Sequence, residues 1–93
     1  MVQKNVVKNM PKPRSETGDK NFISDRLKSL RKEHHMSQRE LATRLQLLGM
    51  DIDKNVITRI ETNKRYVTDI ELQALAKIFG VSYEALIDGV DKP

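Results

Sequence analysis

Four polar residues near the middle of the chain carry side chains suited to reading the edges of base pairs. They are Lys54, Asn55, Thr58 and Arg59. On a helix over about residues 54–62, a rotation of roughly 100° per residue places all four within an arc of about 140°. Arg and Lys bond guanine, Asn bonds adenine, and the arc contains no acidic residue. The pattern indicates a helix face that can contact bases in a major groove.

The opposite side of the same stretch is apolar, as a helix that docks on a core requires. Val56, Ile57 and Ile60 fall within about 100° of one another on a helix that begins after Asp53 as its N-cap. One side of this helix is therefore predicted to pack inward while the other is presented to a partner.

A preceding helix is predicted to support this one. Ser37 followed by Glu40 forms a capping box, which marks a helix start, and Gly49 suits the left-handed residue after a helix end. Ile52 then takes an apolar position in the turn. The predicted core stripe of this helix consists of Leu41, Leu45 and Leu48, with Ala42 beside it.

Residues 37–61, SQRELATRLQLLGMDIDKNVITRIE, resemble the helix-turn-helix of Cro/repressor-type (lambda repressor-like) regulators of bacteria and phages. RLKSLRKE at 26–33 and LAKIFGVSYEALI at 75–87 extend the resemblance. The resemblance implies an all-α, five-helix DNA-binding domain over residues 21–88. Two prolines, a glycine and few apolar residues predict a flexible basic arm at 1–20, and a loose tail is expected at 89–93. The matching residues of the motif are Gln38, Leu41, Ala42, Leu45, Ile57, Ile60 and Glu61.

The resemblance also implies roles for individual residues. Base contacts are expected from Lys54, Asn55, Thr58 and Arg59, and contacts to the DNA backbone from Gln38, Thr62, Lys64 and Arg65. The alternative is that Gln38 and the turn at 64–65 are merely solvated. Arg31 and Glu61 match a partly buried ion pair of the family. About five residues within 46–51 are extra relative to the family pattern, which leaves open the angle between the second and third helices.

The other helices are predicted from apolar spacing and caps. Helix 1 spans about 21–34, with a core stripe of Ile23, Leu27 and Leu30 and with His35 in a left-handed conformation after it. Thr68 and Glu71 form a second capping box. The predicted buried side of helix 4 consists of Ile70, Leu72, Leu75, Ala76 and Phe79, before Gly80; Ser82 caps the last helix. Tyr83 and Val90 either form a self-association surface or cover a small core.

Charge is distributed unevenly along the 93 residues. Residues 1–66 hold 15 Lys/Arg against 8 Asp/Glu, a net +7, whereas residues 67–93 hold 2 against 5, a net −3. A basic segment of this kind fits an anionic partner, although an ordinary solvated surface would also account for it. The basic arm either lies along DNA or has no role. Without cysteine, a secretory signal or a membrane-spanning run, a cytoplasmic protein that contacts no membrane is expected.

The function predicted from these features is sequence-specific binding of double-stranded DNA by a transcriptional regulator, most simply a repressor that acts as a homodimer. The alternative is an antitoxin-like or bridging module whose main partner is a protein, and such a module would show apolar anchors on the outer face of helix 3. No enzyme activity and no cofactor is expected. His34 and His35 are adjacent at a helix end and lack a third ligand, so no metal site is predicted.

Overall fold

A computed structural model of the chain describes residues 18–88, and within this range the fold consists of helices and connecting turns. The expected all-α, five-helix architecture is confirmed. The predicted arm, apart from residues 18–20, and the predicted tail at 89–93 lie outside the described residues. The helices are α1 (Ser24–Glu33), α2 (Gln38–Leu47), α3 (Lys54–Glu61), α4 (Asp69–Phe79) and α5 (Tyr83–Asp88).

The starts of α2, α3 and α4 follow the caps predicted from the sequence, whereas α1 begins at Ser24 instead of about residue 21 and has no side-chain cap. The capping boxes at α2 (Ser37 with Glu40) and at α4 (Thr68 with Glu71) are both complete, with the side chain of each residue bonded to the backbone N–H of the other. Asp53 accepts a hydrogen bond from the N–H three residues further on and so caps α3. These bonds satisfy N–H groups that the first helical turn leaves without partners.

Helix ends share a left-handed residue just beyond the last turn. His35, Gly49, Asn63 and Gly80 have φ values of 53°, 87°, 61° and 65°. At all four positions the following N–H bonds the carbonyl five residues back, which is the Schellman ending. The left-handed conformation expected at His35 is confirmed, and so is the helix end at Gly49.

The core is aliphatic and lies where the helices meet. The predicted stripe of α1 is buried, as are Leu41, Ala42 and Leu45 of α2 and Ile52 of the inserted turn. α3 packs against both α1 and α2, which holds its apolar side inside. The buried hydrophobic residues are Ile23, Leu27, Leu30, Met36, Leu41, Ala42, Leu45, Ile52, Ile57, Ile60, Ala74, Leu75, Ala76, Phe79, Ala85 and Leu86.

Two predictions about the core were wrong. Leu48 is 46% exposed because it is the C-cap of α2, where the chain has already left the helical path. Ile70 is 64% exposed because the inward position in the first turn of α4 belongs to Glu71, and Ile70 lies roughly 140° from the centre of the buried side. Leu72 is half-buried beside that core.

Candidate nucleic-acid interface

The outer face of α3 presents three long polar side chains. Lys54, Asn55 and Arg59 are exposed, while Ile57 and Ile60 on the opposite side are buried. Among residues 18–88 the three polar side chains make no hydrogen bond or ion pair with the rest of the chain. Their donors and acceptors are therefore available to a partner. The structure brings these three residues of the predicted base-contacting set together on one face.

Thr58, the fourth predicted base-contacting residue, is half-buried and bonded inward. Its hydroxyl lies 3.0 Å from Oε1 of Gln38 and 3.1 Å from the Lys54 carbonyl oxygen. Gln38 in turn donates from Nε2 to Oε1 of Glu61 over 3.0 Å. Both ends of the Gln38 amide are thus used within the chain, where they join the start of α2 to α3.

The ion pair expected between Arg31 and Glu61 is confirmed and anchors this network. Nε of Arg31 lies 2.7 Å from Oε2 of Glu61, and Nη2 lies 3.1 Å from Oε1. The Glu61 side chain is only 2% exposed, so Arg31 and Gln38 take the place of solvent around its carboxylate. Arg31 also donates to the carbonyl oxygen of Met36, which joins α1, the turn after it and the end of α3.

The turn after α3 contains the other three residues predicted to contact the DNA backbone. Thr62 is the C-cap of α3, and its hydroxyl donates to the Thr58 carbonyl oxygen over 2.8 Å. Lys64 is exposed and has no partner within residues 18–88. Arg65 differs from both, because its Nη1 and Nη2 lie 2.9 and 3.0 Å from the two carboxylate oxygens of Glu71.

The pair of Arg65 and Glu71 changes the acid–base behaviour of both groups. Its hydrogen bond raises the pKa of Arg65 above the ordinary value. Burial alone would raise the pKa of Glu71, but the hydrogen bonds from Arg65 and from the Thr68 N–H outweigh burial and lower that pKa below its usual range. Both groups are therefore charged at neutral pH, and Arg65 holds the turn against α4.

Two contributors to this surface were missed from the sequence. Asn21 donates from Nδ2 to the carbonyl oxygens of Ile60 and Arg65, at 3.1 and 3.0 Å, and fastens the segment before α1 to the end of α3. Arg39 lies with Lys54 and Asn55 along a groove of about 450 Å³ between α2 and α3. Its position after Gln38 in the first turn of α2 was an available signal, whereas no local pattern marks Asn21.

The electrostatics of this face are those of an anion-binding surface. Arg39, Lys54, Arg59 and Lys64 are exposed cations, and they outnumber the exposed Asp53, which caps α3 and lines the same groove as Arg39 and Lys54. Among the described residues no group of three or more His, Cys, Asp or Glu side chains is arranged to hold a metal ion. None of the five helices is long and apolar enough to cross a membrane.

Comparison with known families agrees with this geometry. The family model described as Helix-turn-helix matches residues 27–86, well over half of the chain. The matched range begins inside α1 and ends inside α5, and it includes the whole of α2 and α3. No curated protein and no solved structure matches the chain significantly. The chain belongs to the Cro/repressor-type (lambda repressor-like) helix-turn-helix family, whose members are DNA-binding regulators.

Proposed function

We propose that this protein is a sequence-specific regulator of transcription, most simply a repressor, that inserts α3 into the major groove of double-stranded DNA. The observation that carries the proposal is the set of unpartnered side chains on the exposed face of α3: Lys54, Asn55 and Arg59. Their chemistry matches base edges, and the buried Ile57 and Ile60 keep that face outward.

Each residue on this face has a distinct proposed contact. Asn55 can bond adenine through both of its amide atoms, and Arg59 can bond guanine through two N–H groups. Lys54 suits guanine as a single donor. The hydroxyl of Thr58 is already bonded within the chain, so its methyl group is the part offered to a thymine methyl.

Contacts to phosphates would fix the register of α3 along the duplex. Lys64 and Thr62 are exposed beside the end of α3 and are proposed to make them. For Gln38 and Arg65, the internal hydrogen bonds favour a positioning role over the direct phosphate contact expected from the sequence. Gln38 holds Thr58 and Glu61, and Arg65 holds the turn that carries Lys64.

A homodimer is part of the proposal, because one helix of eight residues contacts few base pairs. Two copies of the protein would contact twice as many. The surface proposed for self-association is a groove of about 460 Å³ between α4 and α5. Ile70 and Tyr83 line it and are 64% and 51% exposed, with Leu72 and Ile87 at its base. Exposed apolar side chains of this kind are stabilised when a second copy covers them.

The rival proposal, a module that binds mainly protein, requires apolar anchors on the outer face of α3. The exposed side chains on that face are polar, which favours DNA. A regulator of transcription acts where the duplex is, so the cytoplasmic location stays part of the proposal.

A selection of bound sequences from random duplex DNA tests the proposed function. The expected result is a recurrent motif, with two related half-sites if the protein binds as a dimer. Recovery of unrelated sequences with no shared motif, at salt concentrations where binding is measurable, would refute sequence-specific recognition.

A further inference from the structure

One side-chain hydrogen bond closes the segment that joins α2 to α3. Gln46, in the last turn of α2, donates from Nε2 to the carbonyl oxygen of Ile52 over 3.0 Å. Ile52 immediately precedes Asp53, the N-cap of α3. The bond therefore connects the end of one helix directly to the entry of the next.

The backbone between these two residues is itself well defined. The Gly49 N–H bonds the Gln46 carbonyl oxygen at 2.9 Å, and the Met50 N–H bonds the Leu45 carbonyl oxygen at 3.0 Å. Ile52 is buried and occupies the position before the N-cap that commonly packs against the fourth residue of a helix. The segment thus has two anchored ends, and Gln46 bridges them.

Gln46 also lies beside the residues proposed to read bases. It lines the groove of about 450 Å³ between α2 and α3 together with Arg39, Thr43, Lys54 and Asn55. Gln46 is exposed, so its side chain does not fill the core. Its bond to Ile52 is instead a polar link between the end of α2 and the residue before the N-cap of α3.

We propose that Gln46 is a positioning residue for sequence recognition, because its bond to Ile52 sets the direction in which α3 presents Lys54 and Asn55 to the duplex. The inference rests on the proposed function of α3. A two-bond contact to a base tolerates little rotation of the helix, whereas the flexible side chain of Lys64 can follow a phosphate. Loss of the bond should therefore reduce selectivity before it reduces general affinity for DNA.

The first test compares Gln46→Met, which keeps the length of the side chain but removes the donor, with the neighbouring control Leu47→Gln. Leu47 is 81% exposed, so this control changes the surface without breaking the bond. Affinity is measured for the duplex selected by the wild-type protein and for a scrambled duplex of equal composition. Gln46→Met should lower the affinity for the selected duplex by about fivefold or more. This is the loss of affinity expected when one base contact made through two hydrogen bonds is lost.

The same variant should keep its affinity for the scrambled duplex, the salt dependence of that affinity and its melting temperature. A purely structural role for Gln46 would alter all of them. Equal binding of the selected duplex by Gln46→Met and the wild-type protein would overturn the proposal. An equal loss on both duplexes would overturn it as well.

A second pair of variants perturbs the same segment without touching Gln46. Gly49 has a φ of 87°, and nothing lies within 4 Å of a Cβ added there, so Gly49→Ala strains the backbone alone. Asn tolerates this conformation better than Ala. Gly49→Ala should reduce selectivity as Gln46→Met does, and Gly49→Asn should retain more of it. The reverse order would contradict the proposal, even if Gln46→Met failed to fold.

Amide hydrogen exchange in the free protein separates this inference from the proposed function. Gln46→Met should speed exchange at the N–H groups of Val56 and Ile57, relative to those of α4, because the first turn of α3 then opens more often. Unchanged exchange together with unchanged selectivity would overturn the inference and leave the proposed function intact. Failure of the wild-type protein to bind any duplex would instead refute the proposed function.

Discussion

Arg65 and Glu71 face each other across the turn between α3 and α4, and both guanidinium Nη atoms contact the carboxylate, at 2.9 and 3.0 Å. Arg65 donates further to the carbonyl oxygen of Tyr66. This side chain is therefore part of the fold as well as of the basic surface. Lys64, its neighbour, carries the same charge without such bonds. Substitutions of Arg65 should therefore change the stability of the fold, whereas substitutions of Lys64 should change only the binding of DNA.

Acid should weaken the fold through Glu71. The pKa of Glu71 is lower in the folded chain than in the unfolded chain, where a Glu titrates at about 4.3. The ion pair therefore stabilises the fold fully above the unfolded pKa, and this stabilisation is lost as the pH falls through the folded pKa. Urea unfolding between neutral pH and pH 3 should show a flatter acid dependence for Glu71→Gln than for the wild-type protein, with lower stability at neutral pH. Glu40→Gln is the control, because Glu40 holds the equivalent capping-box position in α2 without an arginine partner. Identical acid slopes for both variants would show that the pair does not matter.

Removing Arg31 should destabilise the protein far more than removing Lys28. Arg31→Ala strands the buried Glu61 carboxylate, at a cost of about 3–5 kcal/mol. Lys28 lies 4.0 Å from an exposed Asp25, and such surface pairs contribute about 0–1 kcal/mol. The free energy of unfolding in urea decides between them. Equal, small losses for the two variants would mean that Glu61 is solvated in solution.

Binding to duplex DNA should depend steeply on salt. If about six phosphates are neutralised per dimer, log K should fall against log salt with a slope near −5. Lys64→Ala should flatten this slope by about one unit per subunit and leave the melting temperature unchanged. Arg65→Ala should lower the melting temperature, because it leaves Glu71 without its partner. A wild-type protein that bound no duplex even at low salt would exclude DNA as the partner.

Asn55 and Arg59 should each determine one base pair per half-site. Asn55→Ala and Arg59→Ala should relax the preference at two different positions of the selected motif, by about 1–3 kcal/mol each. Lys77→Ala removes a positive charge from the far end of α4 and serves as the control. Selections repeated with the three variants provide the measurement. Unchanged motifs for Asn55→Ala and Arg59→Ala would show that another face of the domain enters the groove.

Self-association should depend on the groove between α4 and α5. Ile70→Lys places a charge on an exposed apolar residue there and should shift the protein from dimer to monomer in sedimentation experiments, with little effect on the melting temperature. Leu47→Lys makes the same change at the exposed end of α2 and should remain dimeric. Dimers that persist in Ile70→Lys would locate the interface elsewhere.

Features determined by neighbouring residues could be predicted from the sequence. The capping boxes, the left-handed conformation of His35, and the two faces of α3 each depend on a few consecutive positions. The Arg31–Glu61 pair followed only from resemblance to a family, since its partners are 30 residues apart. The base-contacting role of α3 stays a prediction, because the structure shows an available face and no partner.

Features determined by packing between distant segments could not be predicted in this way. Ile70 matches an apolar pattern, yet Glu71 holds the inward position because Arg65 neutralises it there. Gln46 and Ile52 meet because of the path of the inserted turn, which helical periodicity does not describe. Asn21 finds its acceptors 39 and 44 residues away.

The bonds of Asn21 also determine where this protein can be cut or fused. Its side chain holds the carbonyl oxygens of Ile60 and Arg65, and its Oδ1 accepts the N–H of Ile23. An affinity tag, a fusion partner or a protease site placed before residue 18 leaves these bonds in place. A truncation that begins at α1 itself would remove the bonds that hold the end of α3, so a fragment that keeps these contacts of the fold has to include Asn21.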